Sequence, residues 1–265
     1  MDESDVVISV ADGVGTVRLN RPDRGNSVTP KVVAQLGQAV AELAETDGIG
    51  AVVLTGTGKV FCAGADVREM FEVYTDDGPD GLMDYLSTTW MPAVQRTVLQ
   101  LWDAPVPVVA AYNGAATAGG LDFGLACDVR IASSTARFAE SYVNLGMVPV
   151  AGGAYLLPSL IGSAQALHMI ASGSFITASE ALAYGMLNEV CDVDDLPRRS
   201  IEVARQMTSG PKRTYAAAKH VARSAGRADL QNALAASLAA NIDIIAHDDV
   251  RARILAVMER FSASR

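Results

Sequence analysis

Two glycine-rich joints hold the residues best suited to chemistry. Phe61-Cys62-Ala63-Gly64-Ala65-Asp66 and Asn113-Gly114-Ala115-Ala116-Thr117-Ala118-Gly119-Gly120 each lie beside a strand-like run. Side chains this small let backbone approach a ligand closely, or let two segments pack tightly without one. The second joint leads into Leu121 to Ala126, a run of small and apolar residues that suits a buried helix. The first amides of such a helix point at an acceptor and meet the positive end of its dipole, so stabilising an anionic oxygen is their natural use. Asp66-Val67-Arg68-Glu69 also fits a helix cap with an acidic partner three residues on. Cys62, Cys127 and Cys191 lack metal-ligand spacing and read as reduced, space-filling thiols, and His168, His220 and His247 fall in no motif. No metal site is expected.

The elements that must position these joints follow from periodicity. Val6 to Val10 and Val14 to Asn20 predict a hairpin turning at Ala11-Asp12-Gly13. Pro30 to Glu45 carries helix-period apolar residues, and Ile49 to Leu54, Val106 to Ala111 and Asp128 to Ala132 predict strands next to helical segments. Strands alternating with helices indicate an α/β fold. From about Thr177 the pattern is mostly helical, with Leu196 to Met207, Tyr215 to Arg223 and Leu230 to Ile245 as helices of a cap or assembly surface. The segment Phe71 to Trp102, with Tyr74, Leu82, Met83, Tyr85, Trp90 and Met91, suits an apolar ligand pocket or ordinary core equally well.

At 265 residues, half of them apolar, the chain supports one large domain with a helical extension. A net charge of −9 disfavours nucleic acid, whose phosphates are held by clustered Lys and Arg. A small polyanion remains possible where a few cations are local. The acidic start, Met1 to Asp5, and the lack of an apolar window near the roughly 20 residues of a membrane span predict a cytoplasmic protein without membrane contact.

Asn20-Arg21-Pro22, the Phe61–Asp66 joint, Asn113-Gly114 with Gly119-Gly120, Cys127-Asp128 and Gly152-Gly153, in that order, resemble the motifs of the crotonase (enoyl-CoA hydratase/isomerase) superfamily across nearly the whole chain. The resemblance implies a spiral core of ββα turns over residues 1–195 with an acyl-CoA site. It also implies a helical oligomerisation region over residues 196–265, forming a homotrimer or a homohexamer built as a dimer of trimers. The ligand would be an acyl-CoA thioester, with no cofactor beyond the coenzyme A of the substrate. The thioester oxygen would be held by the backbone N–H groups matching Ala63 and Gly119, donors typically worth about 3 to 4 kcal/mol each to an enolate-like transition state.

By the same resemblance, Gly64, Ala65, Asp66, Val67 and Gly120 lie along the substrate, and Arg24 and Arg68 are candidate phosphate partners. Lys219 matches a helical lysine that in relatives lies near CoA, its own subunit's or a neighbouring one's. The two glutamates that hold water in hydratases correspond to Asp122 and Tyr142. The first keeps a carboxylate, expected to be held ionised at a helix start and to act as acid/base, but the second is a poor base. Hydration by two carboxylates is therefore in question, and a double-bond or ring isomerase, or a noncatalytic acyl-CoA binder, stands as the alternative. The further acid of dienoyl-CoA isomerases corresponds to Val150. Glu140, two residues before Tyr142, shares its face if that stretch is extended, and is otherwise a surface carboxylate.

Overall fold

The computed structural model describes residues 4–263. Strands β1 (Val6–Ala11) and β2 (Val14–Leu19) form the expected antiparallel hairpin. Parallel strands β3 (Ala51–Gly56), β5 (Val108–Tyr112), β7 (Val129–Ser133) and β10 (Glu189–Cys191) extend it to six strands in the order β1-β2-β3-β5-β7-β10. A second sheet runs β4 (Val60–Cys62), β6 (Ala115–Thr117), β8 (Arg137–Ala139), β9 (Ile176–Thr177). Each long strand of the first sheet from β3 to β7 is thus followed by a short strand of the second and then by a helical segment. That recurrence is the expected spiral of ββα turns.

Helix α1 (Pro30–Glu45) begins where Thr29 accepts a hydrogen bond from the Val32 amide and Pro30 supplies a residue that needs no N–H partner. Its apolar face, Val32, Val33, Leu36, Val40 and Leu43, enters the main core. Helix α2 (Val67–Asp84) runs through a π-helical turn at Tyr85–Trp90 into α3 (Met91–Asp103). Within this segment Leu82, Met83, Trp90 and Met91 are buried in the main core, whereas Tyr74 and Tyr85 are only partly covered.

Helices α4 (Gly119–Leu125) and α7 (Ala178–Ala183) pack on the second sheet, α5 (Gly153–Ile161) packs on α4, and α6 (Ser163–Ser172) packs on α5. Helix α8 (Leu196–Gln206) lies on the outer face of the first sheet, where Leu196 and Ala204 join Val14, Val53, Val109 and Ile131 in a separate small core. The start of the C-terminal helical region is therefore part of the folded core. The two helices expected over 215–223 and 230–245 are one, α9 (Lys212–Ile244), continuous through Gly226, and α10 (Asp248–Ala263) follows.

Candidate active site

The site is assembled at the ends of the short strands. After β2 the chain makes a tight loop at Pro22–Arg24, and the buried Asn26 pins it by donating to the carbonyls of Thr57 and Val60. This loop aligns with the strand end at Cys62, because Ala63 donates its amide to Gly25 O at 3.0 Å. That bond corrects the expected role of Ala63: its N–H is committed within the fold and cannot face a thioester oxygen. Two residues on, Val28 pairs with the chain through Gly64 O and the Asp66 amide, which leaves the Ala65 amide between them with no acceptor among the described residues.

The second joint delivers a matching amide. Ala118 is held at φ 49°, ψ −127°, a backbone state rarely adopted by a residue with a Cβ, and its own amide is fixed to Ala139 O at 2.9 Å. This bend sets the first residue of α4, Gly119, whose N–H has no protein acceptor among the described residues. Gly64, at φ +85°, lies against this bend, since a Cβ there would come 3.1 Å from Thr117 O and 3.9 Å from the Gly119 nitrogen. The unengaged amides of Ala65 and Gly119 therefore flank the same contact. Gly120 serves packing: a Cβ on it would collide with the Cys62 carbonyl.

Beneath Gly119 lie three buried acidic side chains. Asp122 and Glu140 are fully buried and Tyr142 nearly so. The Tyr142 hydroxyl donates to Asp122 Oδ2 at 3.1 Å and stands 3.4 Å from where a Gly119 side chain would begin. A Cβ on Gly153, the first residue of α5, would collide with both Asp122 Oδ1 and Glu140 Oε1, which places the two carboxyl groups side by side. Asp122 Oδ1 and both Glu140 oxygens find no hydrogen-bond partner of ordinary geometry among the described residues. Burial pushes Asp122 up to about 7, against the lowering effects of the Tyr142 hydroxyl, the Gly153 amide and Glu140. Burial and then the Asp122 charge push Glu140 well above the usual carboxylate range. Burial followed by the same two carboxyls drives Tyr142 upward as well, so it stays a phenol and a donor. The expectation that a helix start keeps Asp122 ionised is corrected, because desolvation outweighs the amides around it. Glu140 is not a surface residue.

At the entrance, a cavity of about 260 Å³ is lined by Arg24, Ala65, Asp66, Val67 and Arg68, together with Asp23, Ser27 and Ala63. Asp66 caps α2 by accepting from the Arg68 amide at 3.0 Å, while Arg21 and Arg24 reach its carboxylate at 2.8 and 3.4 Å. Burial would raise Asp66, but the Arg21 guanidinium, with Arg68 N–H and Arg24, holds it below the usual range. Glu69 does not complete a reciprocal cap; it accepts from the Tyr85 hydroxyl at 2.8 Å. Lys219 is buried and bonded to Asp128 at 2.8 Å, with Arg223 on the other oxygen of that carboxylate. A larger cavity, about 630 Å³ between the end of α3 and α9, contains none of the acidic residues under Gly119.

The enoyl-CoA hydratase/isomerase family model matches residues 9–264. The chain belongs to this family, within the crotonase superfamily. It is 34% identical over 206 residues to 1,2-epoxyphenylacetyl-CoA isomerase of Escherichia coli K12, covering 78% of this chain and 77% of that one. It is 30% identical over 262 residues to short-chain-enoyl-CoA hydratase of Clostridium acetobutylicum, covering 98% and 97%. Among solved structures, an enoyl-CoA hydratase/isomerase from Pseudoalteromonas atlantica T6c superposes with a TM-score of 0.83 at 27% identity, covering 97% of this chain and 98% of that one. This crotonase-superfamily chain is therefore similar both to an isomerase and to a hydratase. Among its described residues no helix is long and apolar enough to cross a membrane.

Proposed function

We propose that this protein is an acyl-CoA double-bond isomerase that works through a thioester enolate. The thioester oxygen accepts from the Ala65 and Gly119 amides, which are free of other acceptors and flank one contact. Fixed donors aimed at a developing oxyanion need no reorganisation during the reaction. Asp122, beside Gly119 and pushed up to about 7, is matched to taking a proton from the α carbon and returning one to the γ carbon at neutral pH. As the α C–H bond breaks, its electron pair enters the enolate and its proton goes to Asp122. Re-forming the carbonyl drives protonation at the far end of the allylic system. No cofactor is needed beyond the CoA of the substrate.

The observation that carries the isomerase reading is Tyr142. Hydration through two carboxylates needs a second carboxylate free to grip water, and at that position stands a phenol that donates to Asp122. The entrance cavity with Arg24 and Arg68 suits the phosphates of CoA, Arg being a planar fork for anionic oxygens. A binder without catalysis has no use for a buried carboxyl group without a cation next to two open amides. Assembly as a trimer or hexamer fits the exposed apolar residues Leu167, Phe175, Leu182, Val221 and Ile242.

The test is mass spectrometry of a panel of enoyl-CoA thioesters incubated with the protein in deuterated water. Deuterium at the α or γ carbon without added water is the expected result. Gain of water would establish a hydratase instead, and thioesters that bind but keep their mass would make the protein a binder.

A further inference from the structure

We propose that Glu140 is a positioning residue for this reaction: it forms with Asp122 a carboxyl pair that holds one proton, and through it fixes Asp122 as the base. The inference rests on the assignment of Asp122 above and assigns a role to a residue outside the two family glutamate positions.

The geometry leaves the pair few other states. Both Glu140 oxygens and Asp122 Oδ1 are buried side by side without a hydrogen-bond partner of ordinary geometry, and the Gly153 amide is the other donor that lies against Asp122. No salt bridge among the described residues reaches either group. Two adjacent buried carboxylates without a cation cannot both ionise, so one keeps a proton and donates it to the other. Glu140 is the one that keeps it, because Asp122 alone has the Tyr142 hydroxyl to support its charge. The other titratable groups around the pair do not change this. Tyr112 of β5 donates its hydroxyl to Leu121 O, and Arg130, the cation whose charge acts on Tyr112, is bonded to Met186 O and Cys127 O.

The result is a base with one donor on each oxygen: Glu140 on Oδ1 and Tyr142 on Oδ2. Tyr142 lies on the Gly119 side, so Oδ2 faces the substrate and Glu140 acts from behind. When Oδ2 takes the α proton, Glu140 keeps its own, and the proton returned to the substrate is the one Asp122 received. Two donors hold the carboxylate plane in one orientation throughout, which is worth rate rather than affinity.

The experiment compares wild type, Glu140→Gln and Glu140→Leu. Gln keeps a donor that cannot ionise, so the fall in kcat/KM at high pH that Glu140 ionisation causes in the wild type disappears, with about a third of kcat retained. Leu removes the donor, so kcat falls about 30-fold with little change in KM, and the low-pH limb moves upward because Asp122 loses a group that supports its charge. Profiles for both variants that overlay the wild type would reduce Glu140 to packing and overturn the proposal.

Infrared difference titration supplies a readout that needs no turnover. A protonated carboxylic acid band that persists above pH 8, where Asp122 is ionised, is expected in wild type and Asp122→Asn and not in Glu140→Gln. If that band is present and no thioester exchanges deuterium, the pair stands and the assigned reaction falls; if the band is absent, the pair itself falls.

Discussion

Asp122 reaches one methylene less far than a glutamate, and the Tyr142 hydroxyl at 3.1 Å occupies the ground between the carboxylate and Gly119. In the proposed reaction the phenol is part of what makes the shorter acid a usable base. Tyr142→Phe removes one of two donors, so kcat is expected to drop roughly 10- to 100-fold and the low-pH limb of kcat/KM to move upward, within the span usual for loss of an acid–base contact. Steady-state kinetics from pH 5 to 9 checks this, and an unshifted limb would separate Tyr142 from Asp122. Gly119 and Asp122 were legible in sequence because their spacing and types carry the resemblance. Ala65 was not. Which of two amides two residues apart is free depends on where Gly25 and Val28 dock, and both are remote in sequence. Glu140 was weighed only through strand alternation. The chain in fact leaves β8 at Ala139 and turns, and the turn carries Glu140 inward beside Asp122.

Among elements, those with strong periodicity or caps were plain: the hairpin, α1 behind Thr29-Pro30, and the long strands of the first sheet lie where alternation and helical spacing predict. The second sheet was invisible. Its strands are two or three residues long, too short for any period to register, yet they end at the loops that present Ala65, Gly119 and Glu140. Helix α9 shows the opposite failure. Gly226 reads as a break, but local propensity costs about 1 kcal/mol for a helical glycine, and burial of Leu230 and Leu234 on the next turns outweighs it. Lys219 on the same helix is drawn inward by Asp128 and joins the framework.

For the molecule as a whole, the carboxyl pair is a stability cost retained at the site. In the unfolded chain Asp122 titrates near 3.8, and in the folded protein near 7, so the native state holds more protons between those values. The contribution of this group to stability is therefore greatest below the unfolded value and is lost as pH rises through the folded one. Glu140, also raised, acts in the same sense. Asp66, held low by Arg21, acts in the opposite sense, but it is common to wild type and variants and cancels in their comparison. Asp122→Asn removes the ionisation, so its thermal midpoint relative to wild type should be higher at pH 8 than at pH 5, by roughly 4 °C or more on the scale of a few degrees per kcal/mol. Melting curves at the two pH values check it, and an equal difference at both would mean that Asp122 is not raised.

The central claim is that Asp122 moves a proton at the α carbon of a thioester held by the Ala65 and Gly119 amides. Its most direct test is α-proton exchange of a saturated acyl-CoA in deuterated water, which asks for the enolate alone and needs no double bond to shift or hydrate. Wild type should incorporate deuterium at the α carbon, while Asp122→Asn should bind the same thioester with similar affinity and incorporate none. Exchange that continues undiminished in Asp122→Asn would contradict the account.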